Sequence, residues 1–552
     1  MELETNTLRS LKFLLIPALL FSACAYKNKE ADLVVRNARI ISMDAGGQEY
    51  QAMAIKDGRI LELGAEQQIL NRYSAKETFD AQTQTIYPGF IDGHCHFLGY
   101  GLNEQKVNLA GAKSWREVLA RVRAYADAHP GTGWILGRGW DQNLWAGKMN
   151  PGNDSLNALF PDRPVLLQRI DGHAAVVNQV ALTSAGLDAK SSIAGGLLEV
   201  KNGKPTGLLS DNAVNVFQKI FDDADEATKR KALLDAQRDC FAAGLTMVCD
   251  AGLDAGTIDL MRKMQEEGVL KIRIYAMLAD DSLNFSRYES GPYISDRLVV
   301  RAVKCYADGA LGSRGALLLQ PYSDDAAAGN GLQLSTREHF LRVAQWCKAH
   351  GFQMATHCIG DSANRLLLGV YGEELGGTND LRWRIEHTQC MDLHDFDIFS
   401  KYNIIPSVQP KHATSDMLWA IDRLGPERLA NAYANKSLMQ QNGMVALGTD
   451  FPVEAIDPLK TFYAAVIRKN ADGVPEGGFQ MKDALSREEA MRGMTIWNAL
   501  ASFTEKDLGS LEVGKFADFT VVDRDLLTVS EEELLKAKVK ATFVNGEQVG
   551  EQ

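Results

Sequence analysis

Between residues 86 and 450 the chain repeats one alternation eight times: a short apolar run, then an amphipathic stretch of helical period. The runs are residues 86–96, 245–250, 272–277, 299–306, 352–357, 383–388, 404–409 and 444–450. Apolar runs of this length, without polar residues at every second position, suit strands buried on both faces, and a parallel sheet provides that environment. Eight βα units close into a barrel, so the predicted fold class is α/β, a TIM (β/α)8 barrel whose working face lies at the C-terminal ends of its strands.

Two regions stand outside this repeat. Residues 32–41 and 52–63 read as strands, the second turned at Asp57-Gly58, and residues 517–523 and 540–544 read the same way before Asn545-Gly546. Strands at both ends predict a small β-sandwich built from residues 25–85 and 505–552, beside a barrel spanning 86–504. Runs one and two are separated by roughly 145 residues, far beyond an ordinary crossover. Residues 97–243 are therefore expected to be a large insertion after strand 1, with structure of its own and folded over the barrel mouth. It carries Trp134, Trp140, Trp145, a strand-like stretch over 165–170 and Asp171-Gly172-His173.

The first 23 residues read as a leader. Arg9 and Lys12 precede an apolar stretch over 13–21 and then Ser22-Ala23-Cys24, the order of a secretory signal, too short to span a bilayer. The end of this segment is similar to a bacterial lipobox, with Phe21 where that pattern has Leu and with Glu2 and Glu4 diluting the basic start. The expectation is an exported protein, a periplasmic or cell-envelope lipoprotein acylated on Cys24 and touching the membrane only through that anchor. A plain signal peptide is the alternative. Seven cysteines follow, Cys95, Cys240, Cys249, Cys305, Cys347, Cys358 and Cys390, an odd number without a CxxC pair, which argues against a disulfide framework. A net charge of −12 without a long basic run argues against nucleic acid as a partner.

The chemistry sits at the predicted strand ends. In Asp92-Gly93-His94-Cys95-His96 the two imidazoles project to one side and Cys95 to the other, which makes half of a metal site. Strand four brings Lys304 and then Asp308, strand five His357, strand six Glu386-His387, and strand eight Asp450. Four of the ten histidines thus fall at one end of the barrel. His129, His339, His350 and His394 fall in helices or loops and read as ordinary surface or packing residues.

These residues lie within longer motifs: 88–96, Gly139-Trp140-Asp141-Gln142, Asp171-Gly172-His173, Lys304 through Asp308-Gly309, His357-Cys358-Ile359-Gly360-Asp361, Ile385-Glu386-His387, Gly448-Thr449-Asp450-Phe451-Pro452-Val453 and a closing Gly514-Lys515-Phe516-Ala517-Asp518. In this order and spacing the chain resembles the metal-dependent amidohydrolase superfamily, and most of all amidohydrolase family 3, which includes N-substituted formamide deformylase-like enzymes. The resemblance implies a first metal on His94, His96 and Asp450 and a second on His357 and His387, with Lys304 bridging them as a carbamate (N6-carboxylation). An ammonium has no lone pair to offer a cation, whereas a carbamate is an anionic oxygen ligand that the metals favour. Two divalent metals are expected, zinc first, although manganese and iron suit such donors too; an unmodified Lys304 leaves a one-metal site. A metal-activated hydroxide would attack, with Asp450 as general base and then acid toward the leaving nitrogen, and His173 would help polarise the carbonyl.

Other residues carry two readings each. His173 is a substrate contact or a structural residue, and Asp308 orients a ligand or closes a turn. Trp140 and Asp141 line the substrate pocket, with core packing the alternative for Trp140; His412, after strand seven, is a further pocket residue. The function expected is an exported metal-dependent amidohydrolase acting on an amide-type C–N bond in a small molecule. The alternatives are a one-metal deaminase on the same fold, against which Lys304 speaks, and a non-catalytic ligand-binding lipoprotein, against which the full ligand set speaks. A homo-oligomer is compatible with all three.

Overall fold

The computed structural model describes residues 29–104, 106–217 and 224–551. The leader and Cys24 lie outside the described residues. Eight parallel strands form one sheet: β1 (Phe90–Cys95), β2 (Leu245–Leu253), β3 (Arg273–Ala279), β4 (Leu298–Tyr306), β5 (Gln353–Cys358), β6 (Arg384–His387), β7 (Ile405–Val408) and β8 (Ala446–Leu447). Each pairs with the next, as in Cys305↔Thr356 and His357↔Glu386. Ile91, Met247, Cys249, Tyr275, Met277, Ala302 and Ala355 fill the interior, while the outward-facing residues join the helices in a larger core. The predicted barrel is therefore present, with strands close to the runs read from the sequence.

No backbone ladder joins β8 to β1 among the described residues. Two backbone hydrogen bonds past the strand ends, from the Asp450 amide to the His94 carbonyl at 2.8 Å and from the His96 amide to the Phe451 carbonyl at 2.9 Å, close the seam together with side chains. The Asn498 amide donates to the Ile91 and Leu447 carbonyls at 2.6 and 2.7 Å. Asp92 accepts from the Thr449 amide at 3.0 Å and the Thr449 hydroxyl at 2.7 Å, and from the His94 amide at 3.1 Å. The approach is close enough that a Cβ on Gly93 would lie 2.6 Å from Asn498 Oδ1, and one on Gly448 would lie 2.6 Å from the His94 nitrogen.

The run over 86–96 proves to be two strands. Residues Thr85–Pro88 pair antiparallel with Phe519–Val522 in a second sheet, and only Phe90–Cys95 enters the barrel. Gly89 is the crossing point, where a Cβ would sit 2.2 Å from Thr246 Oγ1. That second sheet draws strands from both ends of the chain and packs on a four-stranded sheet of residues 29–80 through Val35, Ile55, Ile86, Phe519 and Phe543. A hairpin of the four-stranded sheet turns at Asp57-Gly58 and one of the second sheet at Asn545-Gly546, all four residues at positive φ, the type I′ geometry those pairs favour.

The insertion contains a six-stranded sheet in the order Gly196–Lys201, Lys204–Asp211, Ala174–Val177, Val165–Arg169, Ile135–Trp140, Val107–Asn108. It has cores of its own, one around Trp140, Trp145 and Val118 and another around Leu166, Leu209 and Phe217. The helices Phe97–Asn103 and Glu226–Ala242 belong to the barrel: they share its core, and Gly101 lies against the Ala232 carbonyl so closely that a Cβ would be 2.0 Å from that oxygen. The independently packed part is thus shorter at both ends than the 97–243 read from the sequence, because the first crossover helix follows it.

The seam predicts a stability effect. Asn498→Ala strands two buried carbonyl oxygens and should cost about 2–4 kcal/mol, read as a lower denaturant midpoint with secondary structure intact; an unchanged midpoint would remove Asn498 from this role.

Candidate metal centre

Six side chains called from the sequence as ligands converge at the C-terminal end of the barrel. Asp450 Oδ1 lies 3.3 Å from His96 Nε2 and 3.6 Å from His94 Nε2, and the three donor atoms lie within 4.8 Å of one another. Lys304 Nζ is 3.1 Å from His94 Nε2. The ring of His387 stands 4.9 Å from that of His94 and 4.6 Å from that of His357. A second donor group of three within 4.8 Å joins His387 and Asp450 with His412, so the residue read as a pocket histidine sits as near to Asp450 as a ligand would. Its Nε2 is 3.4 Å from Asp450 Oδ2.

Backbone geometry aims these groups. On β6, alternation turns Arg384 and Glu386 into the barrel and His387 away from it. A positive φ of 71° at His387 brings the imidazole back, and Asp450 has a φ of 60°. Left-handed backbone at residues other than glycine is costly and clusters at functional sites. On β1 the pairing with β2 shifts register, so Ile91 and His94 both reach the interior while Cys95 packs outward, its thiol donating to the Cys249 carbonyl at 3.5 Å. All seven described cysteines are buried and unpaired.

Behind the donors lies a layer of partners. His94 Nδ1 is 2.6 Å from Glu386 Oε2, and Glu386 is paired with Arg384 at 2.7 Å, all fully buried. Arg384 also donates to the Gly93 carbonyl at 2.7 Å and to Ser407 at 2.9 Å. His387 Nδ1 is 2.6 Å from Gln409 Oε1. Each bond leaves Nε2 as the nitrogen facing the site. Asp308 accepts the amides of Leu317, Ile359 and Gly360 at 2.8, 3.0 and 2.8 Å, and lies 3.7 Å from His357 Nε2. It braces the loop that carries His357 and does not hold the ring.

A cavity of about 240 Å³ opens over this centre, with His96, Lys304, His357, His387 and Asp450 in its floor. The insertion supplies its roof through Asp141, Arg169, Ile170, Asp171 and His173. His173 Nδ1 is 3.0 Å from Asp211 Oδ1 and its ring is 4.9 Å from that of His357. Asp141 and His412 line the cavity as read from the sequence. Trp140 does not: it is fully buried in the insertion core, donating from Nε1 to the Leu167 carbonyl at 2.7 Å, because its strand turns that ring away from the cavity. The sequence reading gave no role to Glu386, Gln409, Tyr306 or Glu454. Of these, only Glu386 was foreseeable, since Arg384 and Glu386 share one inward face of a buried strand.

The electrostatics favour metal ligation. Burial, reinforced by Lys304, pulls His94 down to about 4 against the pull of Glu386; burial likewise holds His357 and His387 well below the ordinary histidine range. Neutral imidazole is the form that binds metal. Burial also brings the Lys304 ammonium down to about 8. Asp450 stays ionised: burial pushes its carboxyl up, but the imidazoles of His412 and His96 outweigh it. His412 rises to about 10, because Asp450 and Glu454 overcome its burial.

The donor set fits a divalent metal on independent grounds. His357 Nε2 and Asp450 Oδ1 are buried without any hydrogen-bond partner, and a buried polar atom left unpaired is costly unless something else satisfies it. Glu386→Gln should weaken metal binding about 10- to 100-fold in chelator competition, with far-UV circular dichroism unchanged; undiminished affinity would leave Glu386 without an orienting role.

Comparison with known proteins agrees with this geometry. Residues 77–550 match the model of an amidohydrolase family. YtcJ of Bacillus subtilis (strain 168) is 32% identical over 526 residues, covering 93% of this chain and 98% of that protein. The N-substituted formamide deformylase of Arthrobacter pascens is 25% identical, covering 93% and 97%. The crystal structure of an uncharacterized metal-dependent hydrolase from Pyrococcus horikoshii superposes with a TM-score of 0.74 at 27% identity, over 91% of this chain and 99% of that one. With a ligand-ready centre at the mouth of its barrel, this chain belongs to the amidohydrolase family and is a metal-dependent hydrolase acting on carbon–nitrogen bonds.

Proposed function

We propose that the chain hydrolyses an amide-type C–N bond in a small molecule at a centre of two divalent metals, zinc by first choice. His94, His96 and Asp450 would hold one metal and His357 and His387 the other, with Lys304 bridging as its carbamate. The observation that carries this reading is the convergence of His94, His96 and Asp450 around a buried Asp450 oxygen that has no hydrogen-bond partner. Bound divalent metals supply Lewis acidity, which polarises a carbonyl and acidifies water. The protein's own residues do the rest. Asp450, ionised and open to the cavity floor, takes a proton from the attacking water and returns it to the leaving nitrogen. Glu386 and Gln409 fix which imidazole nitrogen faces the site. The insertion covers the centre and limits bulk water, which strengthens every charge interaction beneath it.

Lys304 supports the bridging role by its setting. It is buried 3.1 Å from His94 Nε2, and its lowered affinity for protons favours the free amine, which adds carbon dioxide to give the carbamate and one released proton. Export, with Cys24 acylated as the only membrane contact, completes the reading, supported by the basic and apolar order of residues 9–24. The deformylase relative places N-formyl amines first in a substrate panel that also holds N-acyl-amino acids, dipeptides and cyclic imides.

Metal analysis and amine release test the proposal together. Two metals per chain and turnover of one amide class are expected, with Asp450→Asn lowering kcat about 100- to 10,000-fold and His94→Ala losing both metal and activity. A single metal with ammonia released from a ring amidine would favour the deaminase. Intact metal content and hydrolysis in His94→Ala would overturn the site assignment. A separate readout addresses the carbamate: metal uptake by stripped protein should rise with added bicarbonate and lose that dependence in Lys304→Ala.

A further inference from the structure

Asp211 marks the place where the insertion is seated on the barrel. It ends the strand Lys204–Asp211 with φ 52° and ψ −124°, a left-handed backbone that favours glycine and is costly for a residue with a side chain. Its carboxylate is fully buried against the loop that follows β4, where a Cβ on Gly309 would lie 2.2 Å from Oδ1 and one on Gly315 would lie 2.7 Å from Oδ2. This cradle gives room but no hydrogen bond: the Gly309 amide donates to the Gly315 carbonyl at 3.2 Å, and the Gly315 amide to the Ala310 carbonyl at 2.9 Å. Oδ2 is left without a partner. Among the described residues the one group bonded to this carboxylate is His173, whose Nδ1 lies 3.0 Å from Oδ1. The Asp211 amide also donates to the His173 carbonyl at 2.7 Å.

A strained backbone and a buried, half-satisfied carboxylate both cost stability. Packing needs neither at this position, since a glycine would relax the backbone and remove the charge. What the arrangement accomplishes is to hold one imidazole. With Nδ1 engaged, Nε2 is the nitrogen left to the cavity, which His173 lines, and no described residue bonds to it. In the floor, Glu386 and Gln409 hold His94 and His387 by the same ring nitrogen. Those two imidazoles belong to the donor groups of three, whereas His173 belongs to neither. Its ring stands 4.9 Å from that of His357, in the roof beside the second set of donors. An imidazole aimed in this way from outside the ligand set faces the substrate.

We propose that Asp211 is a positioning residue of the reaction: it grips His173 so that Nε2 meets the carbonyl oxygen of the scissile amide from the roof. The inference rests on the amide-hydrolase reading above for that oxygen, but not for the grip itself. As the oxygen gains negative charge, a donor already in place stabilises it without reorganisation, and a carboxylate behind the ring stabilises the imidazolium that donates. On metal-loaded enzyme His173→Ala should lower kcat about 100- to 1,000-fold, with KM held within about threefold and metal content unchanged. Asp211→Asn keeps the seat and should lower kcat about 10- to 100-fold. In the His173→Ala background the same change should add less than about threefold, because the two residues act as one unit. A merely structural Asp211 would lower kcat equally in both backgrounds. Spectra of protein labelled with nitrogen-15 in its histidines read the grip without any reaction: the His173 ring signals, identified by their loss in His173→Ala, should move in Asp211→Asn. Asp211→Gly, which suits the backbone, carries both measurements if Asp211→Asn does not fold. Absence of turnover with every amide, while the ring signals still move, would count against the reaction and uphold the grip. Additive losses in the double variant, or His173 signals that stay in place, would overturn the proposal.

Discussion

The centre exists only because strand β1 meets strand β8. His94 and His96 arrive on one side of that seam and Asp450 on the other, and where the regular ladder is absent two backbone hydrogen bonds, Asp450 to His94 and His96 to Phe451, join the sides. Asp92 and Asn498 add to these bonds by satisfying backbone groups across the gap, and Gly93 and Gly448, through their missing side chains, let the strands approach. Asp92 also receives the His94 amide. The Asp92 carboxylate thus helps close the barrel and fixes the start of the ligand strand, so fold and site share that contact.

A second regularity is how charge is buried. A buried charge needs a partner and further hydrogen bonds to offset lost hydration. Arg384 and Glu386 neutralise each other beneath His94, where a lone carboxylate would be untenable. At the roof Arg169 lies between Asp141 and Asp171, and beside Asp450 the cations His412 and Lys411 face the carboxylates of Asp450 and Glu454. The floor leaves the ligand atoms His357 Nε2 and Asp450 Oδ1 without partners, whereas Arg169, Asp141 and Asp171 in the roof pair with one another. That contrast separates the part of the cavity built to receive a cation from the part built to hold its own shape.

Much of this was legible in the sequence, for stated reasons. Strands buried on both faces must be apolar throughout, so the eight runs stood out. Ligands at strand ends stood out because His, Lys and Asp are rare beside such runs. The limits were equally physical. Residues 86–96 read as one run, yet Gly89 passes the chain from one sheet to another, and composition carries no record of which neighbour a strand pairs with. Trp140 read as a pocket residue because a large ring beside Asp141 suits either fate, and only the partner of its indole nitrogen decides. Alternation would have placed His387 outward; a single left-handed residue reverses it. The Arg169 cluster escaped notice because Asp141, Gln142 and Asp171 meet it from separate turns of the insertion.

The strand that crosses at Gly89 sets an order of assembly. Residues Thr85–Pro88, directly ahead of the first ligand strand, take their neighbour from Phe519–Val522, more than 400 residues later in synthesis. On the ribosome the segment leading into His94 and His96 therefore waits, one edge unpaired, until residues 519–522 have emerged. An exposed edge is a template for wrong partners. The strand Phe519–Val522, which supplies no ligand, ends that exposure and secures the base of the strand that carries the first two ligands.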